Sequence, residues 1–299
     1  MNCFRKIVAA ALALPTLIPA QSASRPQFEV ASIRRCEGDL PPGGRGGGPP
    51  SFSPGRMTLT CQSLAGLIRA AYILFPTGAP RRLLDRPRIP VEGGPEWISS
   101  ALYTIAAKAE DKASPEFMQG PLLQTLLENR FKLKVHRETR EIPVYDLIVA
   151  KNGPKLRPFQ EGSCTPTPEI DLARGPVPWP ALPPGRHYCF MAGGANGANM
   201  QIRAEGITIA DFARVFLFPD GRPVVDKTNI SGKYDIQLTF GLDDEGLRRM
   251  LEITGTDPGQ PTNPSFFNAI QEQLGLRVQP AKGQGEFLVI DHVERPDEN

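Results

Sequence analysis

Residues 122–150 read LLQTLLENRFKLKVHRETREIPVYDLIVA and contain the pattern that decides the fold. An apolar stripe starts with helical spacing and continues with strand alternation, through Leu123, Leu127, Phe131, Leu133 and Val135. This change of period predicts a helix that leads directly into a strand. We expect the chain to turn back at Thr139–Pro143, so that Lys132–Ala150 forms a β-hairpin.

The same stripe recurs in the second half of the chain, at a constant offset from the first. Its members there are Phe266, Ile270, Leu274, Leu276 and Val278. A second hairpin is expected over Leu276–Val293, with its turn at Gly283–Gly285. The distance from Leu123 to Phe266 has the size of a domain and is too long for a solenoid unit.

A strand followed by a capped helix also occurs twice. MTLTC (57–61) and MQIRA (200–204) alternate as strands do, and Ser63 and Thr208 follow them at positions typical of a helix N-cap. The two helical stripes repeat at nearly the same offset and consist of Leu64, Leu67, Ile68 and Ala71, and of Ile209, Phe212, Ala213 and Phe216. YTIAAKA (103–109) and YDIQLTF (234–240) form a further matching pair of strands.

These matches predict an α+β protein made of two tandem copies of one unit. The unit is strand-helix-strand-strand-helix-strand-strand, with its helices on one face of a sheet rich in antiparallel pairs. We assign the first copy to 26–152, with a Gly/Pro-rich loop at 36–56, and the second copy to 200–299. Residues 153–199, rich in proline and glycine, are expected to link them. The alternative is a chance agreement of apolar stripes.

Residues 1–20 have the features of a secretory signal peptide. A basic pair, Arg5 and Lys6, precedes an apolar run from Ile7 to Ile18, and the small Ala20 precedes polar residues. We therefore expect the signal peptide to span 1–20 and the protein to be exported, to the periplasm or beyond. A buried N-terminal helix is the alternative. Since an anchor needs about 20 apolar residues, we expect no membrane span.

Four cysteines follow the predicted signal peptide, and an even number in an exported chain is typical of disulfides. Three pairings are possible. We expect Cys36 with Cys61 and Cys164 with Cys189, because each pair encloses a Gly/Pro-rich segment and the two separations along the chain are identical. A four-cysteine zinc site is the alternative, but its short ligand spacings are missing.

Composition excludes several classes of partner. The 34 basic residues, less Arg5 and Lys6, leave 32, which equals the number of acidic residues in the 299-residue chain. A balanced charge has no electrostatic attraction for nucleic acid or for an anionic membrane surface. Glycine (29) and proline (32) are both abundant, so long irregular stretches are expected between the folded parts.

Catalytic motifs are missing from the sequence. The three histidines, His136, His187 and His292, have neither metal-ligand spacing nor a nearby carboxylate cluster. No G-x-S-x-G motif occurs, and no cofactor is predicted. The most suggestive polar positions are named here as a possible site: Asp226, Lys227, Asp235 and His292. Strand-end turns use such residues for backbone reasons alone, which is the alternative interpretation.

Five stretches resemble a known family. They are FEVASIRR (28–35), GGPEW (93–97), LLQTLLENRFKLKVHRETREIPVYDLIVAKNGPKL (122–156), PVVDKTNISGKYD (223–235) and FLVIDHVERPDEN (287–299). They are similar to the soil-associated, Solibacter-type secreted proteins of acidobacteria, a family of unknown function. The resemblance implies an exported protein without an assigned activity. Some relatives carry this module on a membrane zinc peptidase, but this chain has no H-E-x-x-H motif.

The second half also resembles, in pattern more than in residues, the short N-terminal domain of secretins and TonB-dependent receptors. Those domains are small βα repeats that bind partner proteins in the periplasm. The resemblance implies a similar fold and leaves function open.

Together these observations predict an exported, non-catalytic binding or sensing module of the bacterial cell envelope. We expect an envelope protein to bind at an exposed strand edge, and Trp179, in a proline-rich loop, either to contact a partner or to pack on its own domain. One alternative is a secreted hydrolase that uses dispersed residues such as Asp226, Asp235 and His292. Another is an envelope scaffold with a broad apolar patch.

Overall fold

The structure is a computed structural model that describes residues 25–36, 47–79, 88–110, 112–167, 179–217 and 221–297. It has three four-stranded sheets with helices packed against them, and most strand pairs are antiparallel. The expected α+β class is therefore confirmed. The predicted signal peptide, residues 37–46 of the loop at 36–56 and residues 168–178 of the linker at 153–199 lie outside the described residues.

Strands and helices are numbered in chain order. The strands are β1 (Val30–Arg35), β2 (Ser51–Ser53), β3 (Arg56–Ser63), β4 (Val91–Gly93), β5 (Leu102–Lys108), β6 (Lys134–Val149), β7 (Arg157–Pro158), β8 (Met191–Asn196), β9 (Asn199–Ile207), β10 (Val224–Asp226), β11 (Tyr234–Gly241) and β12 (Leu276–His292). The helices are α1 (Leu64–Ile68), α2 (Trp97–Ser100), α3 (Pro115–Phe117), α4 (Leu123–Arg130), α5 (Ile209–Phe216), α6 (Asp244–Thr254) and α7 (Phe266–Leu274). Wider π-helical turns extend α1 over Arg69–Leu74 and join α3 to α4 over Met118–Leu122.

The first lobe contains the sheet β1-β5-β3-β2 and the helices α1 to α4. Ser63 caps α1, as predicted, by accepting a hydrogen bond from the Gly66 N–H through its hydroxyl. The predicted stripe of this lobe is buried in one core, and its members are Leu64, Leu67, Ile68, Leu123 and Leu127. Both helical stripes therefore face the same sheet.

The second lobe contains the sheet β7-β11-β9-β8 with α5 and α7 packed on it. Thr208 caps α5 by accepting from the Asp211 N–H at 3.1 Å. Of the predicted stripe, Phe266 is partly buried and the other members are fully buried, namely Ile209, Phe212, Ala213 and Ile270.

A third sheet, ordered β10-β6-β12-β4, joins the lobes. Its two central strands are 16 and 17 residues long and pair antiparallel along their length, which corresponds to roughly 55 Å. The two predicted hairpins are therefore wrong. Residues 139–143 and 283–285, expected to be turns, lie in mid-strand, and Gly283 pairs with Ile142.

Gly285 and Pro143 are residues typical of turns, yet neither of them ends its strand. Gly285 makes room for a neighbour, because a Cβ there would lie 2.4 Å from the Ile142 side chain. Pro143 lies on the outer edge of β6, since the Tyr145 N–H two residues on donates away from β12, to the Pro223 carbonyl. A proline whose nitrogen faces away from β12 removes no hydrogen bond from the ladder between β6 and β12.

Each long strand begins in one lobe and ends in the core of the other. Tyr145 and Leu147, near the end of β6, are buried in the second core. Leu288 and Ile290, near the end of β12, are buried in the first core. Each core is thus completed by a strand from the other half of the sequence.

Both predicted disulfides are present. The Cα atoms of Cys36 and Cys61 are 5.8 Å apart, and those of Cys164 and Cys189 are 4.9 Å apart. These bonds indicate an oxidising, extracytoplasmic environment. In the part of the chain that the structure describes, no helix is both long and apolar enough to cross a membrane.

Candidate functional site

Asp226 and Lys227 stabilise the turn that follows β10. The Asp226 carboxylate accepts from the N–H of Thr228 at 2.9 Å and from its hydroxyl at 2.7 Å. The backbone N–H of Lys227 donates to the Leu147 carbonyl at 2.9 Å, while its side chain is exposed. The sequence pattern at this point therefore reflects a strand-end turn.

Asp235 and His292 also have local partners. The Asp235 carboxylate accepts from the Gly206 N–H at 3.1 Å, beside the bulge between β9 and β11. The His292 ring lies 2.8 Å from a carboxylate oxygen of Glu294, at an exposed position.

The four predicted polar residues do not form one site. Asp226 pairs with Leu147 of β6, whereas His292 pairs with Lys134 of the same strand. These positions are thirteen residues apart on an extended strand, or roughly 43 Å. A proton transfer between them needs hydrogen-bond distance, so the structure does not bring together the residues named for a hydrolase.

The other two histidines each contact one carboxylate. Nδ1 of His136 lies 2.9 Å from Asp291, and Nε2 of His187 lies 3.2 Å from Glu205. Among the described residues, no group of three or more histidine, cysteine and acidic side chains is placed to hold a metal ion.

The outer edge of the second lobe is formed by β8, whose sequence is MAGGAN. It pairs with β9 on one side, and within the described residues no strand pairs with its other side. Five of its six residues are exposed, and none is charged or proline. It therefore lacks the charges and prolines with which proteins commonly protect a strand edge.

The direction of the backbone groups in β8 follows from one hydrogen bond. The Glu205 N–H donates to the Phe190 carbonyl at 2.8 Å, one residue before β8. Hydrogen-bonded pairs alternate in an antiparallel ladder, so every second residue from Phe190 faces β9. The residues whose N–H and C=O groups point away from the sheet are Met191, Gly193 and Ala195.

Aromatic side chains lie at the start of this edge. Phe190 is 46% exposed, and the Arg203 guanidinium stacks on its ring at 5.3 Å. Trp179 is 45% exposed and packs edge-on against Tyr188 at 4.9 Å. Trp179 thus packs on its own chain and still presents nearly half of its surface to solvent.

Glu205 holds the start of β8 in place. Its carboxylate accepts from the Phe190 N–H at 2.9 Å and pairs with Arg203 at 2.8 Å. Burial acts to raise the pKa of Glu205, but the Phe190 N–H, Arg203 and His187 together hold it below its usual range. Together with the Cys164–Cys189 disulfide, these contacts fix the chain just before the open edge.

The remaining outer strands are shorter or carry charge. The strands β2, β4 and β10 have three residues each, β7 has two, and β1 contains Arg34 and Arg35. A surface cavity of about 440 Å³ lies between β1 and α4. Its lining lies on residues 27–31 and on one side of α4 from Thr125 to Arg130, and none of these residues was predicted from the sequence to be a candidate site residue.

Sequence reasoning missed β8 because its residues fall within the predicted linker 153–199. Gly193 and Gly194 remove the alternation of apolar side chains that predicts a strand. One signal was present: Asn196 and Gly197 form the Asn-Gly pair that is typical of tight turns between strands.

A family model matches residues 67–293, which include α4, β8 and both long strands. The chain belongs to the DUF3738 family, whose members are proteins of unknown function. The match covers most of the chain, including the second lobe's α5 and α7 and the part of the first lobe that follows Leu67, and it agrees with the expectation of a family of unknown function. Neither the curated proteins nor the solved structures contain a match to this DUF3738 chain.

Proposed function

We propose that this protein is an exported, non-catalytic binding or sensing module of the bacterial cell envelope, and that its partner adds an extended segment to β8. The observation that carries the proposal is the open, uncharged edge of β8. Strand addition draws affinity from main-chain hydrogen bonds, and the outward groups of Met191, Gly193 and Ala195 supply them.

Two further features support binding at this edge. The exposed rings of Phe190 and Trp179 are of the kind that dominate the energy of protein interfaces. The contacts of Glu205 and the nearby disulfide keep the edge ordered before a partner arrives, so little conformational entropy is lost on binding.

Export is part of the proposal. The support consists of the signal-peptide features of residues 1–20 and the two disulfides. We infer a periplasmic or extracellular location, and a place among the Solibacter-type, soil-associated acidobacterial members of the family. The likeness of the second half to the short N-terminal domain of secretins supports a partner protein of the envelope.

We also infer that residues 57–151 and 200–293 are two copies of one unit. The support is that the two lobe sheets, β1-β5-β3-β2 and β7-β11-β9-β8, have equivalent strand orders. In the central sheet β10-β6-β12-β4, β10 corresponds to β4 and β6 corresponds to β12. Replacing each strand by its counterpart from the other half therefore gives the same order, read from the opposite edge. With the hairpins corrected to single strands, the unit becomes strand, helix, strand, strand, helix and long strand. Two further strands precede it in each half, β1 and β2 in the first and β7 and β8 in the second.

The test is a pull-down from the native envelope with three forms of the exported protein. Ala195→Pro removes an outward N–H without breaking a bond to β9, and Ala195→Val keeps that N–H. We expect wild type and Ala195→Val to recover the same partner, and Ala195→Pro to recover less than a tenth as much. Equal recovery by all three forms would rule out strand addition at β8.

A further inference from the structure

The two halves of the chain exchange their longest strands. β6 follows α4 of the first lobe, yet Leu147 near its end is fully buried in the second core. β12 follows α7 of the second lobe, yet Leu288 near its end is 1% exposed in the first core. Each half therefore lacks part of its core unless the other half is present.

The short strands of the central sheet depend on the same exchange. β4, from the first half, pairs parallel with Leu288–Ile290 of β12. β10, from the second half, pairs parallel with Tyr145–Leu147 of β6. In the described part of the chain neither short strand has another neighbour, so separating the halves would leave both without backbone partners.

A single backbone connection joins the two halves covalently. β6 ends at Val149, and an exposed turn that includes Lys151 and Asn152 leads into the second lobe. Each disulfide closes within one half, since Cys36 bonds to Cys61 and Cys164 to Cys189. A cut at this turn would leave only non-covalent contacts between the halves.

We propose that each half is the binding partner of the other, and that the halves remain a complex after the connection between them is cut. The interface is two-fold in arrangement, because each half gives one long strand and receives one. This proposal is independent of binding at β8.

The test uses the full-length protein with a specific endoprotease site inserted between Lys151 and Asn152, at an exposed turn that tolerates insertion. After complete cleavage, we expect the two fragments to co-elute at the position of the uncut protein and to separate only in denaturant. Elution as two separate fragments in native buffer at micromolar concentration would overturn the proposal.

A pair of variants in the cut protein tests whether the exchanged strand holds the complex. Leu147→Ala removes a side chain from the second core, whereas Ile148→Ala changes the neighbouring, partly exposed residue. We expect the dissociation constant of the fragments to rise at least tenfold for Leu147→Ala and less than threefold for Ile148→Ala. An equal rise in the dissociation constant for both variants would show that the exchanged strand β6 is not the source of the affinity between the fragments.

A second insertion site covers the case in which the first prevents folding. Cleavage between Leu172 and Ala173 leaves the Cys164–Cys189 disulfide as the covalent link, and reduction then removes it. In this cut the first fragment keeps β7 and Cys164 of the second lobe, so the variants at Leu147 and Ile148 are repeated on it. Co-elution of the reduced, cut fragments that Leu147→Ala weakens at least tenfold and Ile148→Ala less than threefold supports the proposal, and separation of the unmutated fragments in native buffer overturns it.

Discussion

Phe212 and Leu127 occupy equivalent situations in different lobes, since each is a large side chain with no exposed surface. Replacing either with alanine leaves a cavity that the surrounding side chains fill only in part. We expect Phe212→Ala and Leu127→Ala each to lower the free energy of unfolding by about 3 kcal/mol. Urea denaturation followed by circular dichroism measures this loss.

Phe267 provides the control for that prediction, because it lies on α7 with 41% of its surface exposed. Phe267→Ala removes the same side chain type from a half-open position and should cost clearly less. A loss below about 0.5 kcal/mol for Phe212→Ala would show that α5 does not pack as described.

Glu205 makes the stability of the second lobe depend on pH. Its pKa is held below its usual range in the folded protein, so it contributes stability above its unfolded value of about 4.3. That contribution is lost as the pH falls through the lower folded pKa. We expect Glu205→Gln to be less stable than wild type at pH 7, with the difference shrinking between pH 5 and pH 3.

Thermal unfolding across this pH range measures the effect. Glu141→Gln is the control, because Glu141 is exposed on the central ribbon formed by β6 and β12 and pairs only with Lys282 in the interactions described. A difference between wild type and Glu205→Gln that stays constant from pH 7 to pH 3 would contradict the role of the Glu205 carboxylate.

At the level of strands and helices, the sequence predicted α1, α4, α5 and α7 and the strands that precede them, but not α2, α3 or α6. It did so where apolar periodicity and a cap agreed, as at Ser63 with α1 and at Thr208 with α5. It failed in β6 and β12, because Gly283–Gly285 and Pro143 are common turn residues. Only the tertiary neighbours show that the glycine makes room for Ile142 and that the proline nitrogen faces away from β12.

The candidate site was less predictable than the fold. Strand-edge binding was expected as a mode, but the edge itself could not be located, because the glycines of β8 carry no apolar pattern. Asp226 was singled out for polarity that serves the turn at Thr228. The amino-acid sequence does not show which backbone N–H and C=O groups point away from a sheet. This part of the site could therefore be located only from the structure.

The close fit at Gly285 gives a prediction for the central ribbon. A Cβ at this position would lie 2.4 Å and 2.9 Å from two carbons of Ile142. We expect Gly285→Ala to lower the free energy of unfolding by about 1–2 kcal/mol, because the Ile142 side chain must move. In the double variant Gly285→Ala, Ile142→Ala, the clash is removed. We therefore expect the alanine at position 285 to lower the free energy of unfolding less in the Ile142→Ala background than in wild type.

Gly194→Ala is the matched control for that substitution. Gly194 is also a strand glycine, but no atom lies within 4 Å of the position that a Cβ would take. We expect its unfolding free energy to be unchanged or slightly raised. Urea denaturation measures the unfolding free energy of both variants. Equal destabilisation by Gly285→Ala and Gly194→Ala would contradict the close contact between position 285 and Ile142.

In the whole molecule, the exchanged strands couple two cores that are otherwise separate. The chain has two tryptophans, and Trp97 packs on the first core. In a Trp179→Phe background, the fluorescence of Trp97 therefore reports the first lobe alone. We expect Leu147→Ala to lower the unfolding midpoint seen by Trp97, although Leu147 lies in the second core.

Because the two cores are coupled, we expect Leu147→Ala to lower the midpoint reported by Trp97 about as much as a mutation in the first core does. Leu127→Ala serves as that reference, and both should cost about 2–5 kcal/mol. If Leu147→Ala leaves the Trp97 midpoint unchanged while circular dichroism shows a second, earlier transition, the lobes unfold independently.

The burial of Leu288 and Ile290 in the first core also bears on how the protein matures. A ribosome delivers residues in order, so the helices of the first lobe emerge long before the strand that completes their core. The first lobe must wait, incompletely packed, until nearly the whole chain has been delivered. The export that we propose suits such a chain, because the first core cannot be completed before β12 has been delivered.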